Sequence, residues 1–137
     1  MALLVDTSVW SLAYRRDTPP GVPEVAALRR ALTGGDAVVT TGMILLELLR
    51  GFVPAKAQET IRAAFESLEL VEPSRDDYVG AAAVGNVCRR AGIQLGSVDS
   101  LIAQLAIAGD HTLLTTHQDF QLAARHIGLR VWRPPPE

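Results

Sequence analysis

The sequence contains very little cysteine, very little lysine and no long apolar run. Cys88 is the only cysteine among the 137 residues, so no disulfide can form within the chain, as is typical of proteins in a reducing cytoplasm. No apolar stretch reaches the roughly 18 residues of a membrane-spanning helix. The first segment, MALLVDTSVW, has no basic region before its apolar stretch and already contains Asp6, so it favours a buried strand over a secretion signal. We therefore expect a cytoplasmic protein without a membrane segment.

The charge balance lacks the excess of basic residues that marks many nucleic-acid-binding domains. The 13 basic and 15 acidic residues give a formal net charge of −2, and Lys56 is the only lysine. The apolar fraction of 48% and the charged fraction of 20% are ordinary for a soluble globular protein. A chain of this length can bury a substantial core, so we expect one domain over residues 1–137 with a proline-rich tail at 134–137.

Short apolar segments alternate with helical patterns along the chain. Strands are predicted at residues 2–5, 37–40, 68–71, 111–114 and 130–132. Helices are predicted between these strands. Thr41 is the expected N-cap of the helix that follows the second strand, and Ser97 is the expected N-cap of an apolar helix that continues to Ala108. This alternation predicts an α/β fold, a three-layer α/β/α sandwich whose central parallel sheet has about five short strands.

Four carboxylates fall near predicted strand ends or helix starts. Asp6 directly follows the first strand, and Glu47 lies about two helical turns after the second. Asp99 lies in the first turn of the apolar helix, and Asp119 follows the strand that ends at Leu114. Strand ends and helix starts share one edge of an open α/β sheet, and ligands bind there. The four side chains are therefore expected to converge on one pocket.

Each carboxylate also has an ordinary structural explanation. Asp6 and Asp119 could cap helices, and Glu47 could form an ion pair with Arg50 one turn later. The positive N-terminus of the apolar helix could stabilise the charge of Asp99 by about 0.3–1 kcal/mol. These explanations do not say why all four lie at rims. Close carboxylates repel unless cations neutralise them, and oxygen-rich sites suit Mg²⁺ or Mn²⁺. Such a site supports metal-assisted hydrolysis of a phosphodiester.

Four segments give the chain a family resemblance: LLVDTSVW, TTGMILLELLRG, SVDSLIAQLAI and LLTTHQDF. In this order and spacing the chain resembles the PIN-domain ribonucleases, and most closely the VapC toxins of bacterial toxin–antitoxin pairs. The resemblance implies a PIN-like fold and an Mg²⁺- or Mn²⁺-dependent endoribonuclease that cleaves RNA at an acidic site. It also implies a homodimer and a small cognate VapB-like antitoxin that inhibits the enzyme.

The same resemblance implies roles for individual residues. Asp6 and Asp99 would be the metal ligands. Glu47 and Asp119 would complete the acidic cluster, directly or through water, and orient the attacking water.

Neighbouring polar residues would support this site. Thr7 or Ser8 would hydrogen-bond the Asp6 carboxylate or a substrate phosphate, and Thr115 matches a small hydroxyl residue that the family carries beside the site. His117 stands where family members often carry Asp, in a pattern like T-x-D-x-D-F. Three roles stay open for His117: metal ligand, phosphate contact, or a loop residue with neither role.

Two other functions compete with the ribonuclease toxin. One is a catalytically weak nucleic-acid-binding regulator that keeps the PIN fold while His117 compromises the metal site. The other is a phospho-acceptor receiver domain, which also places Asp after a strand but needs a lysine near the last strands. Since Lys56 is the only lysine, we set the receiver domain aside.

Overall fold

The computed structural model describes residues 2–136 and contains a five-stranded sheet with helices between the strands. The strands are β1 (Ala2–Val5), β2 (Ala37–Thr40), β3 (Glu69–Leu70), β4 (Thr112–Leu114) and β5 (Arg130–Val131). The helices are α1 (Thr7–Tyr14), α2 (Pro23–Gly34), α3 (Gly42–Gly51), α4 (Ala55–Glu66), α5 (Arg75–Arg90), α6 (Ser97–Ala108) and α7 (Gln118–Ala123). No helix in this part of the chain combines the length and apolarity that crossing a membrane requires.

The sheet has the strand order β3-β2-β1-β4-β5, and every neighbouring pair is parallel. β1 is therefore the central strand, with β2 on one side and β4 on the other. This arrangement confirms the predicted α/β/α fold with a parallel sheet of about five strands. Because strand order reverses at β1, the carboxyl ends of β1 and β4 border the crevice where α/β proteins bind ligands.

The apolar composition of the central elements explains their positions. Leu4 and Val5 of β1 are fully buried, and Leu113 and Leu114 of β4 pack in the same core. Six of the twelve residues of α6 are also buried, so this apolar helix belongs to the core. The long helix α5 begins with a reciprocal capping box that Ser74 and Asp77 form.

Thr41 occupies the predicted N-cap position of α3, although its hydroxyl makes no capping hydrogen bond. Two other local predictions were wrong. The N-cap of α6 is Gly96 rather than Ser97, because the amide of Ser100 already donates to the Gly96 carbonyl, at 2.9 Å. β3 is shorter than predicted because both its residues are exposed at the sheet edge, where no further strand pairs with them.

Candidate active site

Asp6 lies at the centre of the sheet edge where the strands end. Its backbone amide donates to the carbonyl of Leu114 at 2.9 Å, which extends the β1–β4 ladder by one residue beyond β1. Its side chain is only 5% exposed. Asp6 is the N-cap residue of α1, yet its carboxylate makes no capping hydrogen bond. Helix capping therefore does not explain this buried charge.

Two hydroxyl groups hold the Asp6 carboxylate. Ser8 Oγ and Thr115 Oγ1 both donate to Asp6 Oδ2, at 2.8 and 2.9 Å. Each hydroxyl also accepts a hydrogen bond from a backbone amide of the following loop, Ser8 from Thr116 at 3.1 Å and Thr115 from His117 at 3.0 Å. We call these two side chains the hydroxyl bridge. Because the bridge ties the β1–α1 junction to the β4–α7 loop, it fixes the orientation of the carboxylate.

The hydroxyl bridge occupies only one oxygen of Asp6. Both donors reach Oδ2, and within residues 2–136 no hydrogen bond is made to Oδ1. A carboxylate oxygen without a donor, on a side chain that is otherwise buried, is a suitable ligand for a cation, because burial is costly for a charge that nothing compensates.

Glu47 reaches the site from α3. Its Oε1 accepts a hydrogen bond from Thr7 Oγ1 at 2.8 Å, which joins the start of α1 to the middle of α3. The side chain is exposed, and among the ion pairs of the described residues there is none between Glu47 and Arg50. The pairing that would have made Glu47 an ordinary surface residue is therefore not formed, and the carboxylate is held toward α1 instead.

Asp99 shows that the carboxylates lie within electrostatic range of one another. Its pKa is raised above the ordinary value, mainly because partial burial disfavours the charged form and next because of the negative charge of Asp6. Glu47 and Asp119 raise this pKa further, whereas His117 acts in the opposite direction. All four candidate carboxylates and His117 thus face one region of space.

His117 and Asp119 form the rim of this acidic cluster. His117 Nδ1 lies 3.8 Å from Asp119 Oδ2, and both side chains are about half exposed, at 48% and 47%. The imidazole packs edge-on against Phe120, with ring centroids 5.9 Å apart. His117 is the N-cap residue of α7 but makes no capping hydrogen bond. The structure therefore places the imidazole at the mouth of the cluster rather than in its buried part.

The donor set fits a hydrated cation better than a closed protein cage. No group of three or more Asp, Glu, His or Cys side chains in residues 2–136 is arranged to hold a metal ion. Mg²⁺ rarely needs such a group, since it usually keeps several waters and binds through one or two carboxylates together with substrate phosphates. Two such carboxylates are present here: Asp6, whose Oδ1 accepts no hydrogen bond from the described residues, and the nearby Asp99.

Two parts of this site were not visible in the sequence. The backbone amides of Thr116 and His117 support the hydroxyl bridge, and backbone groups leave no signal in residue types. The hydrogen bond between Thr7 and Glu47 joins residues 40 positions apart, so local patterns could not reveal it.

Two aromatic residues next to the site in the sequence do not line it. Trp10 and Phe120 are 2% and 0% exposed and belong to the core.

Comparisons with known proteins agree with the fold described above. The family model described as PIN domain matches residues 3–126. A search of curated proteins gave no significant match.

Several solved structures share the fold at low sequence identity. VapBC2 from Rickettsia felis, bound to a DNA fragment from its promoter, is 20% identical with a TM-score of 0.74, over 96% of this chain and 98% of that one. FitAcB from Neisseria gonorrhoeae is 19% identical with a TM-score of 0.70, over 96% and 97%. VapC20 from Mycobacterium tuberculosis, a sarcin-ricin loop cleaving toxin, is 19% identical with a TM-score of 0.68, over 93% and 98%.

Proposed function

Because the chain belongs to the PIN domain family, we propose that it is the toxin of a type II toxin–antitoxin pair and an Mg²⁺- or Mn²⁺-dependent endoribonuclease. The observation that carries this proposal is the buried Asp6 carboxylate at the end of β1, which two hydroxyl groups hold through Oδ2 within electrostatic range of the other three carboxylates. Carboxylates that repel one another at a ligand-binding sheet edge are matched by a divalent cation and a phosphate that binds to it.

Asp6 and Asp99 are the proposed metal ligands. Asp6 offers Oδ1 while the hydroxyl bridge fixes Oδ2, and Asp99 faces it from the first turn of α6. When bound, the cation supplies positive charge to the scissile phosphate and lowers the pKa of water. Magnesium and manganese both suit these oxygen donors.

The remaining carboxylates have proposed roles in orienting water. Glu47 is exposed to solvent and fixed by Thr7, so it is suited to hold the attacking water and accept its proton. Asp119 lies on the rim beside His117, where it completes the negative cluster. Neither role requires direct contact with the cation.

A small VapB-like antitoxin is the proposed inhibitor. VapBC2 and FitAcB, which share this fold, are named as two-component assemblies. An inserted arginine of such a partner would bind the acidic cluster, because guanidinium binds carboxylates through two parallel hydrogen bonds. We also propose a homodimer, which the exposed apolar side chain of Leu46 on α3 supports, at 51% exposure.

Cleavage of RNA by the purified protein tests the proposed activity. The wild type should cut a structured RNA internally with Mg²⁺ or Mn²⁺ and lose this activity in EDTA. Asp6→Asn and Asp99→Asn should each abolish cleavage while circular dichroism shows an intact fold. Asp17→Asn, at an exposed loop position, is the matched control and should retain full activity. Full activity of either site variant, or full activity in EDTA, would contradict the proposal.

The same assay separates the enzyme from the alternative, a nucleic-acid-binding regulator with a weakened metal site. A regulator would bind RNA in a mobility-shift assay but leave it intact in both metals. If that is the outcome, His117→Asp is the first variant to test. It places the Asp that family members often carry at this position and should restore cleavage.

A further inference from the structure

A groove runs between α5 and α6 beside the acidic cluster. It has a volume of about 500 Å³ and is lined by small and apolar side chains together with an amide and a guanidinium. The residues used below are Ala82, Gly85, Asn86, Arg89, Val98 and Leu101. We call it the α5–α6 groove.

The groove is built on regular helices and owes its width to small residues. Ala82, Gly85, Asn86 and Arg89 recur at helical spacing, so one face of α5 forms its wall. The helices approach closely at Gly85, where an added Cβ would lie 3.0 Å from Ser100 Oγ. A side chain larger than alanine at position 82 would therefore reduce the volume of the groove.

Two polar side chains that line the groove, Asn86 and Arg89, are exposed to solvent. Within residues 2–136 the amide of Asn86 and the guanidinium of Arg89 take part in no hydrogen bond or ion pair. Arg89 is the only charged side chain among the described residues that line the groove. An amide offers donors and an acceptor to a base edge, and arginine suits phosphate. Tyr78, which is 58% exposed, adds an aromatic ring at the wall.

The groove and the acidic cluster share structural elements. Ser97 and Val98 line the groove and directly precede Asp99 in the first turn of α6. Met43 lines it as well and lies one helical turn before Glu47 on the same side of α3. A helix with its side chains is about 10–12 Å across, so residues of one helical turn lie within that distance of each other, which a strand of a few nucleotides can span.

The acidic cluster itself has no means of distinguishing bases, since every nucleotide offers it the same phosphate. We propose that the α5–α6 groove binds a nucleobase of the RNA substrate near the scissile phosphate. Asn86 reads the hydrogen-bonding edge of this base, and Arg89 neutralises an adjoining phosphate. This inference rests on the proposed ribonuclease function. The groove would give that enzyme a preference for certain bases near the cleavage site.

Two pairs of neighbouring substitutions test the groove with the full chain. Ala82→Leu fills it, whereas Ala83→Leu places the same side chain on an exposed position of α5 that does not line it. Arg89→Ala removes its guanidinium, whereas Arg90→Ala removes one that does not line it. For RNA cleavage, Ala82→Leu and Arg89→Ala should raise KM about tenfold with kcat within about twofold, and the two controls should match the wild type. Asn86→Ala, at an exposed position, should reduce the discrimination between bases without lowering thermal stability.

A binding measurement separates failure of the groove from failure of the ribonuclease proposal. The four ribonucleoside monophosphates are titrated into the wild type in EDTA, and the side-chain amide signal of Asn86 is followed by NMR. A shift with at least one nucleotide, lost in Ala82→Leu but kept in Ala83→Leu, supports the groove even if the protein cleaves no RNA. No shift, or cleavage kinetics that are equal in Ala82→Leu and Ala83→Leu, would overturn it. A change of oligomeric state in Ala82→Leu alone, measured by light scattering, would also overturn it, because the groove would then be covered by a second copy.

Discussion

Thr115→Val would measure how strongly the hydroxyl bridge holds Asp6. Valine has nearly the same shape, so the change removes one hydroxyl from a position that is only 1% exposed. The Asp6 carboxylate then loses one of its two hydroxyl donors, and a hydrogen bond to a charged group contributes about 1.5–3 kcal/mol. The amide of His117 also loses its acceptor, but His117 is exposed, so water can replace that bond. We expect a loss of about 2 kcal/mol in the free energy of unfolding.

Thermal denaturation in EDTA is the assay, with Thr116→Val as the control. In a chain of 137 residues, this loss should lower Tm by about 6–10 °C. Thr116 is exposed, and only its backbone amide takes part in the bridge, so its substitution should change stability by less than about 0.5 kcal/mol. Metal affinity or RNA cleavage should also fall about 10- to 100-fold in Thr115→Val, because groups that orient a metal ligand have effects of that size. Equal Tm values for the two variants would refute the view that the bridge holds the carboxylate.

Three further predictions concern charge at the site. The pKa of Asp99 is raised above its ordinary value of 3.8, so ionising it lowers stability as pH rises from 3.8 upward. Asp99→Asn should therefore raise Tm in EDTA at pH 7 but not at pH 3, and an equal gain at both pH values would contradict this. A complex with the antitoxin should lose Mn²⁺ binding, measured by calorimetry, because an inserted arginine occupies the cluster, and normal Mn²⁺ affinity would mean inhibition elsewhere. His117→Asp should shift the metal preference of cleavage toward Mg²⁺, since Mg²⁺ prefers oxygen to imidazole. If the wild type, His117→Ala and His117→Asp cleave RNA at equal rates in both metals from pH 6 to 8, His117 is neither a metal ligand nor a phosphate contact.

The central elements could be predicted because their composition leaves few alternatives. β1 and β2 have the predicted bounds, since short apolar runs between turn residues and helices can hardly be anything but buried strands. The position of Asp6 and Asp99 at one edge follows from the parallel topology alone. The resemblance to the PIN domain family is confirmed by the match to residues 3–126.

Local hydrogen bonding could not be predicted in the same way. Gly96, which caps α6 in place of the predicted Ser97, shows that the cap residue depends on where the first helical hydrogen bond falls, which is a property of the backbone rather than of residue preference. β3 was predicted too long because an edge strand pairs on one side only. The orientation of Asp6 depends on Thr115, which is 109 positions away, and on backbone amides that the sequence does not mark.

The position of β1 in the middle of the sheet has a consequence for synthesis on the ribosome. Asp6 emerges early, but Leu114 and Thr115, which align and hold it, are translated more than a hundred residues later. At about 5–20 residues per second, this interval lasts roughly 5–20 s. During this time the nascent chain has neither the β1–β4 pairing nor Asp119, so its acidic cluster is incomplete. Under the proposed ribonuclease function, a growing chain could not cleave the messenger that encodes it, and cleavage would become possible only after β4 and α7 have left the exit tunnel.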